Sequence, residues 1–126
     1  MNRKHFLTFL LGLPLGPLLA KKVKQDDQRY LLNTCYVAGF QYYSGPSFIH
    51  EIEAGEELDL MTEPGNEYDR FAVKIYRKGT MLGHIPRTDN KHISRLLQQN
   101  VELHCAVTEV NPARETWEML RVEVYL

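Results

Sequence analysis

The chain of 126 residues has two cysteines, one tryptophan and, from residue 30 to residue 69, not a single lysine or arginine. Two cysteines, Cys35 and Cys105, cannot supply a zinc site of paired C-x-x-C type, nor a disulfide scaffold. His50-Glu51 opens an H-E-x-x-H pattern, but Ala54 stands where the second histidine would be needed, so no metal is expected. Ser44 and Ser47 lie in a Gly/Pro stretch without a G-x-S-x-G elbow, and no glycine-rich phosphate loop is present. Carboxylates are plentiful in the acidic block, but abundance does not make an acid/base pair. A binding module without cofactor, not an enzyme, is therefore expected. Beyond the first twenty residues there is no long apolar run, which excludes a multi-pass membrane protein. An aromatic content of 10% and the lack of heptads exclude disorder and coiled coil.

What is present is one domain's worth of chain, 44% hydrophobic and 25% charged, with a net charge of -1. That near-neutral sum hides segregation. Residues 30–69 carry eight acids and no base, whereas residues 70–95 carry seven bases against Asp89 alone. Residues 30–126 sum to -5, which argues against coating nucleic acid by bulk charge while leaving room for a local basic patch.

Residues 1–20 join a basic start (Arg3, Lys4) to an apolar stretch over residues 6–20. They read as a signal-peptide-like segment, as a membrane-anchor segment giving membrane association, or as an inert start. Leu18 occupies the -3 position of a cut after Ala20, where a small residue is usual. Lys21, Lys22 and Lys24 follow, and Pro14 and Pro17 interrupt the helix. A cleaved signal or an anchor would put the domain in the cell envelope or outside it; otherwise it is cytoplasmic. Residues 21–30 form a polar linker and residues 31–126 the folded domain.

Strand formers and period-two alternation predict strands over residues 33–40, 58–63, 71–77, 81–85, 101–108 and 117–126, the last with Leu120, Val122, Val124 and Leu126 on one face. Lys78-Gly79 predicts a tight hairpin. Ile93, Leu96 and Leu97 change the period and predict a short amphipathic helix over residues 88–99, capped by Thr88 or Asp89 and ended near Asn100. Six strands and one helix predict an all-β fold, a small OB-like six-stranded β-barrel. Cys35 and Cys105 fall on inward strand positions and read as buried thiols; a disulfide between them requires an exported domain.

Residues suited to a ligand gather at the turns. Tyr42-Tyr43 follow the first strand, Asn66, Tyr68 and Asp69 follow Pro64-Gly65, and His84 and Arg87 end the hairpin. Tyrosine offers a face for base stacking, and arginine a forked donor for phosphate. Asp69 is out of place beside phosphate but suits a free sugar hydroxyl. An ordinary reading stands beside each: rim packing for the tyrosines, turn formation for Asn66 and Asp69, a surface charge for Arg87.

In order and spacing, four segments resemble the HIRAN domain family: Val37-Ala38-Gly39-Phe40-Gln41-Tyr42-Tyr43, Gly55-Glu56-Glu57-Leu58, the stretch from Glu63-Pro64-Gly65-Asn66 through Tyr68-Asp69 to Ala72-Val73, and Gly83-His84-Ile85-Pro86-Arg87. The resemblance implies an OB-like barrel and, as in the family's characterised eukaryotic members, capture of single-stranded DNA 3′ ends. Carried over, Tyr42 and Tyr43 stack on terminal nucleotides, and Asn66, Tyr68 and Asp69 surround the last sugar. His84 and Arg87 then lie near the backbone. Gln41 departs from the basic residue that precedes the tyrosine pair in DNA-end binders, and Trp117 is a loose counterpart of a further aromatic. The alternative is a membrane-tethered or exported protein-interaction domain that keeps the barrel without end binding.

Overall fold

A computed structural model describes residues 29–126. Expectations for residues 1–20, and for most of the linker at 21–30, lie outside the described residues. Six strands form one antiparallel sheet: β1 Leu31–Tyr36, β2 Glu57–Thr62, β3 Val73–Arg77, β4 Thr80–His84, β5 His104–Val110 and β6 Leu120–Tyr125. Their order across the sheet is β1-β6-β5-β2-β3-β4. The sheet curls until its two edges meet at one seam, where Ala38 N–H donates to His84 O at 2.8 Å and His84 N–H donates to Ala38 O at 2.9 Å. The fold is thus mainly β with one short helix, as expected of an OB-like barrel.

Local chemistry explains the element boundaries. The first strand stops at Tyr36, short of the expected residue 40, because Gly39 takes φ 72° and turns the chain into a 3₁₀ turn over Phe40–Tyr42. The Gly/Pro stretch around Ser44 and Ser47 holds further 3₁₀ turns, Gly45–Glu51. The β3–β4 hairpin has the expected two-residue loop: Lys78 at φ 49° and Gly79 at φ 84° give the positive-φ pair that matches strand twist. Phe71 and Ala72 belong to the preceding turn, so β3 starts later than expected.

Helix α1, Lys91–Gln98, is shorter than expected and begins after Asn90, not after Thr88 or Asp89. Asp89 N–H closes a turn onto Pro86 O, and the Asp89 carboxylate takes the Thr88 hydroxyl, so neither side chain caps the helix. The helix ends as expected: Asn100 at φ 65° lets its N–H reach Leu97 O while Val101 N–H reaches Leu96 O. That wrap consumes residues expected to start β5, which begins at His104 instead. At the C-terminal end Trp117 lies in a 3₁₀ turn, Thr116–Glu118, ahead of β6, and Leu126 is exposed instead of joining the inner face.

The core holds Val37, Phe40, Ile75, Leu82, Ile85, Leu120, Val122 and Val124, with Ile93 entering from α1. Leu120, Val122 and Val124 alternate inward as their sequence pattern requires. Cys35 and Cys105 are buried and unbonded. Burial pushes the Cys35 thiol up to about 12 and the Cys105 thiol also upward, so both sit as inert apolar groups.

Candidate functional site

Beside the seam lies a depression of about 300 Å³ lined by Gly39, Asn66, Tyr68, Asp69, His84 and Arg87, with Asn90 at its floor. Its wall is a turn built by its own side chains. Asn66 Oδ1 accepts Tyr68 N–H at 2.8 Å and Asp69 N–H at 3.0 Å, and Asp69 Oδ1 accepts Phe71 N–H at 2.9 Å. These are the turn-forming bonds that short polar side chains supply. Asn66 and Asp69 therefore serve the ordinary role weighed for them while also facing the depression. Tyr68 is 82% exposed, so its ring contributes nothing to the core.

Five of the seven sequence candidates, Asn66, Tyr68, Asp69, His84 and Arg87, line this depression, whereas Tyr42 and Tyr43 lie outside the lining, next to Gly39 and His84. Arg87 Nη2 donates to Tyr68 O at 2.9 Å, and its Nε lies 3.5 Å from Asp69 Oδ2. The Arg87 side chain stays 75% exposed, so this ion pair adds little stability and leaves donors turned outward. The ring of Tyr43 is 6.3 Å from that of His84, tilted by 56°. Tyr42 is 79% exposed and lies against Gly39, where an added Cβ would stand 3.8 Å from Tyr42 Cδ2. The Thr116–Glu118 turn packs on the Phe40–Tyr42 turn, which brings the exposed Trp117 to the same end of the barrel.

Sequence reasoning gave no role to Asn90, which lines the depression, or to Glu63, which lies outside the lining but braces Asn66 and His84. Asn90 is 3% exposed, and its Nδ2 donates to Asp69 Oδ2 at 2.8 Å. Glu63 joins three neighbours: Oε2 is 3.3 Å from Lys74 Nζ, and Oε1 is 3.4 Å from both Asn66 Nδ2 and His84 Nε2. The one available signal for Glu63 was an acid at the end of a strand whose neighbour carries Lys74. Asn90 had none, because its partner is 21 residues away.

Two carboxylates are held ionised. The Phe71 N–H beside Asp69, together with Asn90 and Arg87, outweighs partial burial and keeps its pKa below the usual range. For Glu63 partial burial works upward, but hydrogen bonds from Lys74, Asn66 and His84 prevail, and its pKa is also lowered. A depressed carboxylate stabilises the fold above its unfolded value, about 4 for Asp and Glu, and that contribution is lost as pH falls through the folded value. Urea midpoints are therefore expected to hold from neutral pH to about 5 and to fall below about 4. In Asp69→Asn and Glu63→Gln that acid limb should be shallower; an unchanged limb in both would remove these groups from the acid response.

The fold and site thus define a small β-module whose curled six-stranded sheet carries an ionised depression at its seam. The chain belongs to the HIRAN domain family, whose family model matches residues 32–126. Among solved structures it is similar to a protein from Lactobacillus plantarum, with 24% identity and a TM-score of 0.63 over 79% of this chain and 98% of that one. It is also similar to the HIRAN domain of human HLTF, with 19% identity and a TM-score of 0.59 over 79% of each chain. No curated protein matches the chain. Among the described residues no helix is long and apolar enough to cross a membrane.

Proposed function

We propose that the domain is a nucleic-acid-binding module that takes the 3′ end of a single strand into the depression at the seam. The observation that carries this reading is the meeting of an ionised Asp69 with Asn66, Tyr68, His84 and Arg87 in one hollow, beneath the exposed Tyr42 and Tyr43. An exposed aromatic face accepts any base, at about 1 to 3 kcal/mol per base. Arg87 offers outward donors to a phosphate. Asp69 already accepts from Phe71, Asn90 and Arg87, and a carboxylate has about four acceptor positions, which leaves room for one hydroxyl donor. A terminal 3′-hydroxyl fills that place; a 3′-phosphate brings a second anion to it and withdraws the proton.

The test uses fluorescence anisotropy on short single strands that end in a 3′-hydroxyl or a 3′-phosphate. The phosphate should weaken binding more than any change of base, by about tenfold or more, the worth of one charge-assisted hydrogen bond. Asp69→Asn should narrow the gap between the two ends. Equal affinity for both ends in the unaltered protein would refute end recognition.

A further inference from the structure

The seven bases of residues 70–95 separate into two groups in the fold. Lys74 pairs with Glu63, Arg77 with Glu56 and Arg87 with Asp69. Among the described residues Arg70, Lys78, Lys91 and Arg95 have no carboxylate at ion-pair distance. Three of these four converge on one ring. Arg70 Cζ lies 5.0 Å from the centroid of Phe71, and Lys91 Nζ and Arg95 Cζ lie 5.4 Å from it. Each is close enough for a cation–π contact, which holds the side chain without using up its hydrogen-bond donors. No two of the three charges are then farther apart than about 11 Å, of the order of one Debye length at 0.1 M salt. They repel one another, and a shared anion relieves that repulsion.

The nearest carboxylate in the chain, Asp69 ahead of Arg70, is engaged with Phe71 N–H, Asn90 and Arg87 and makes no ion pair with the cluster. Helix α1 has no acidic residue in its first turn. A depression of about 450 Å³ beside Phe71, walled by Pro64, Arg70, Arg95, Gln98 and Gln99, carries amides and guanidinium groups and no carboxylate. Phe71 is half-buried while the three cations are exposed. The cluster is also next to the seam hollow: Asp69 and Asn90 line the hollow, and Arg70 and Lys91 follow them directly in the chain.

We propose that the Phe71 cluster is a second nucleic-acid contact, a phosphodiester-backbone site that holds a strand outside the end-binding hollow. This rests on the nucleic-acid reading given above, but its chemistry differs. The hollow distinguishes one end group from another, whereas three unneutralised cations on an aromatic plate recognise repeated phosphates without regard to base or terminus. The site also explains how a domain with a net negative charge holds a polyanion: the charge that matters is gathered at one ring.

The experiment compares strands of about four and about twelve nucleotides, the range of site sizes known for single OB folds, each with a 3′-hydroxyl or a 3′-phosphate. In the unaltered protein the longer strand should bind more tightly with either end group. The triple variant R70Q/K91Q/R95Q should lose about tenfold in affinity for the longer strand, and its log–log salt slope should be shallower by about 2, the release expected for three phosphates on a single strand. Its preference for a hydroxyl end should persist, and R70K/K91R/R95K should restore length dependence. The three side chains are exposed, and equal thermal melting of the triple variant would show that the fold is kept. Unchanged length dependence and salt slope in the triple variant would overturn the proposal, as would tighter binding of a poly-glutamate chain than of the longer strand. Loss of end preference with length dependence retained would instead defeat only the reading of the hollow.

Discussion

Gly83→Ala should unfold the domain at a temperature lower by about 15 °C, corresponding to roughly 3 kcal/mol for a domain near 100 residues. Gly83 has φ 153°, which side chains rarely adopt, and an added Cβ would run into the Ala38 carbonyl oxygen and stand 2.7 Å from Val37 Cγ1. The obstacle is the backbone of the seam itself and cannot rotate away. Gly79 supplies the control. It too has a positive φ, 84°, but a Cβ there meets nothing within 4 Å. Gly79→Ala should cost only the conformational penalty, about 1 to 2 kcal/mol. Thermal melts of the two variants measure the difference, and equal losses would mean that the seam yields to the extra methyl.

The second large effect concerns the floor of the hollow. Asp69→Ala leaves the Phe71 N–H and the buried Asn90 amide without their acceptor, at a cost of about 3 kcal/mol. Asn90→Ala removes one charge-assisted hydrogen bond and should cost about 2 kcal/mol. Once the carboxylate is gone the Asn90 side chain has little left to lose, so the double variant should be only slightly less stable than Asp69→Ala. Urea denaturation of the four proteins closes the cycle, with a coupling of about 1 to 2 kcal/mol expected between residues in contact. Simple additivity would show that the amide and the carboxylate do not depend on each other.

How far these features could be read in the sequence depended on the range of the interaction behind them. Alternation in Leu120, Val122 and Val124 marked an inner face because pleating is local, and Lys78-Gly79 marked a hairpin because a two-residue loop needs its own backbone angles. The seven candidates at the turns were legible by residue type, and the fold places five of them in the lining of one hollow with Tyr42 and Tyr43 next to it. Boundaries were less legible. Nothing within residues 33–40 says that Gly39 takes a left-handed φ, since that angle follows from the meeting of Ala38 with a strand more than forty residues later. Asn90 and Glu63 escaped for the same reason. Asn90's partner and Glu63's His84 are each 21 residues away in the chain, and an asparagine ahead of a helix has an ordinary local explanation. The Phe71 cluster was visible only as a count of bases; which of them are neutralised depends on side chains meeting in three dimensions.

His84 does two things at once: its main chain shuts the barrel against Ala38, and its ring faces the hollow. Occupancy and seam opening are therefore linked equilibria. A ligand that binds only the shut form raises the free energy of opening by RT ln(1 + [L]/Kd), about 2.7 kcal/mol at a concentration one hundred times Kd. The amide protons of Ala38 and His84, which the seam alone protects, then exchange with solvent at a rate set by the ligand, and the backbone becomes its own gauge of saturation.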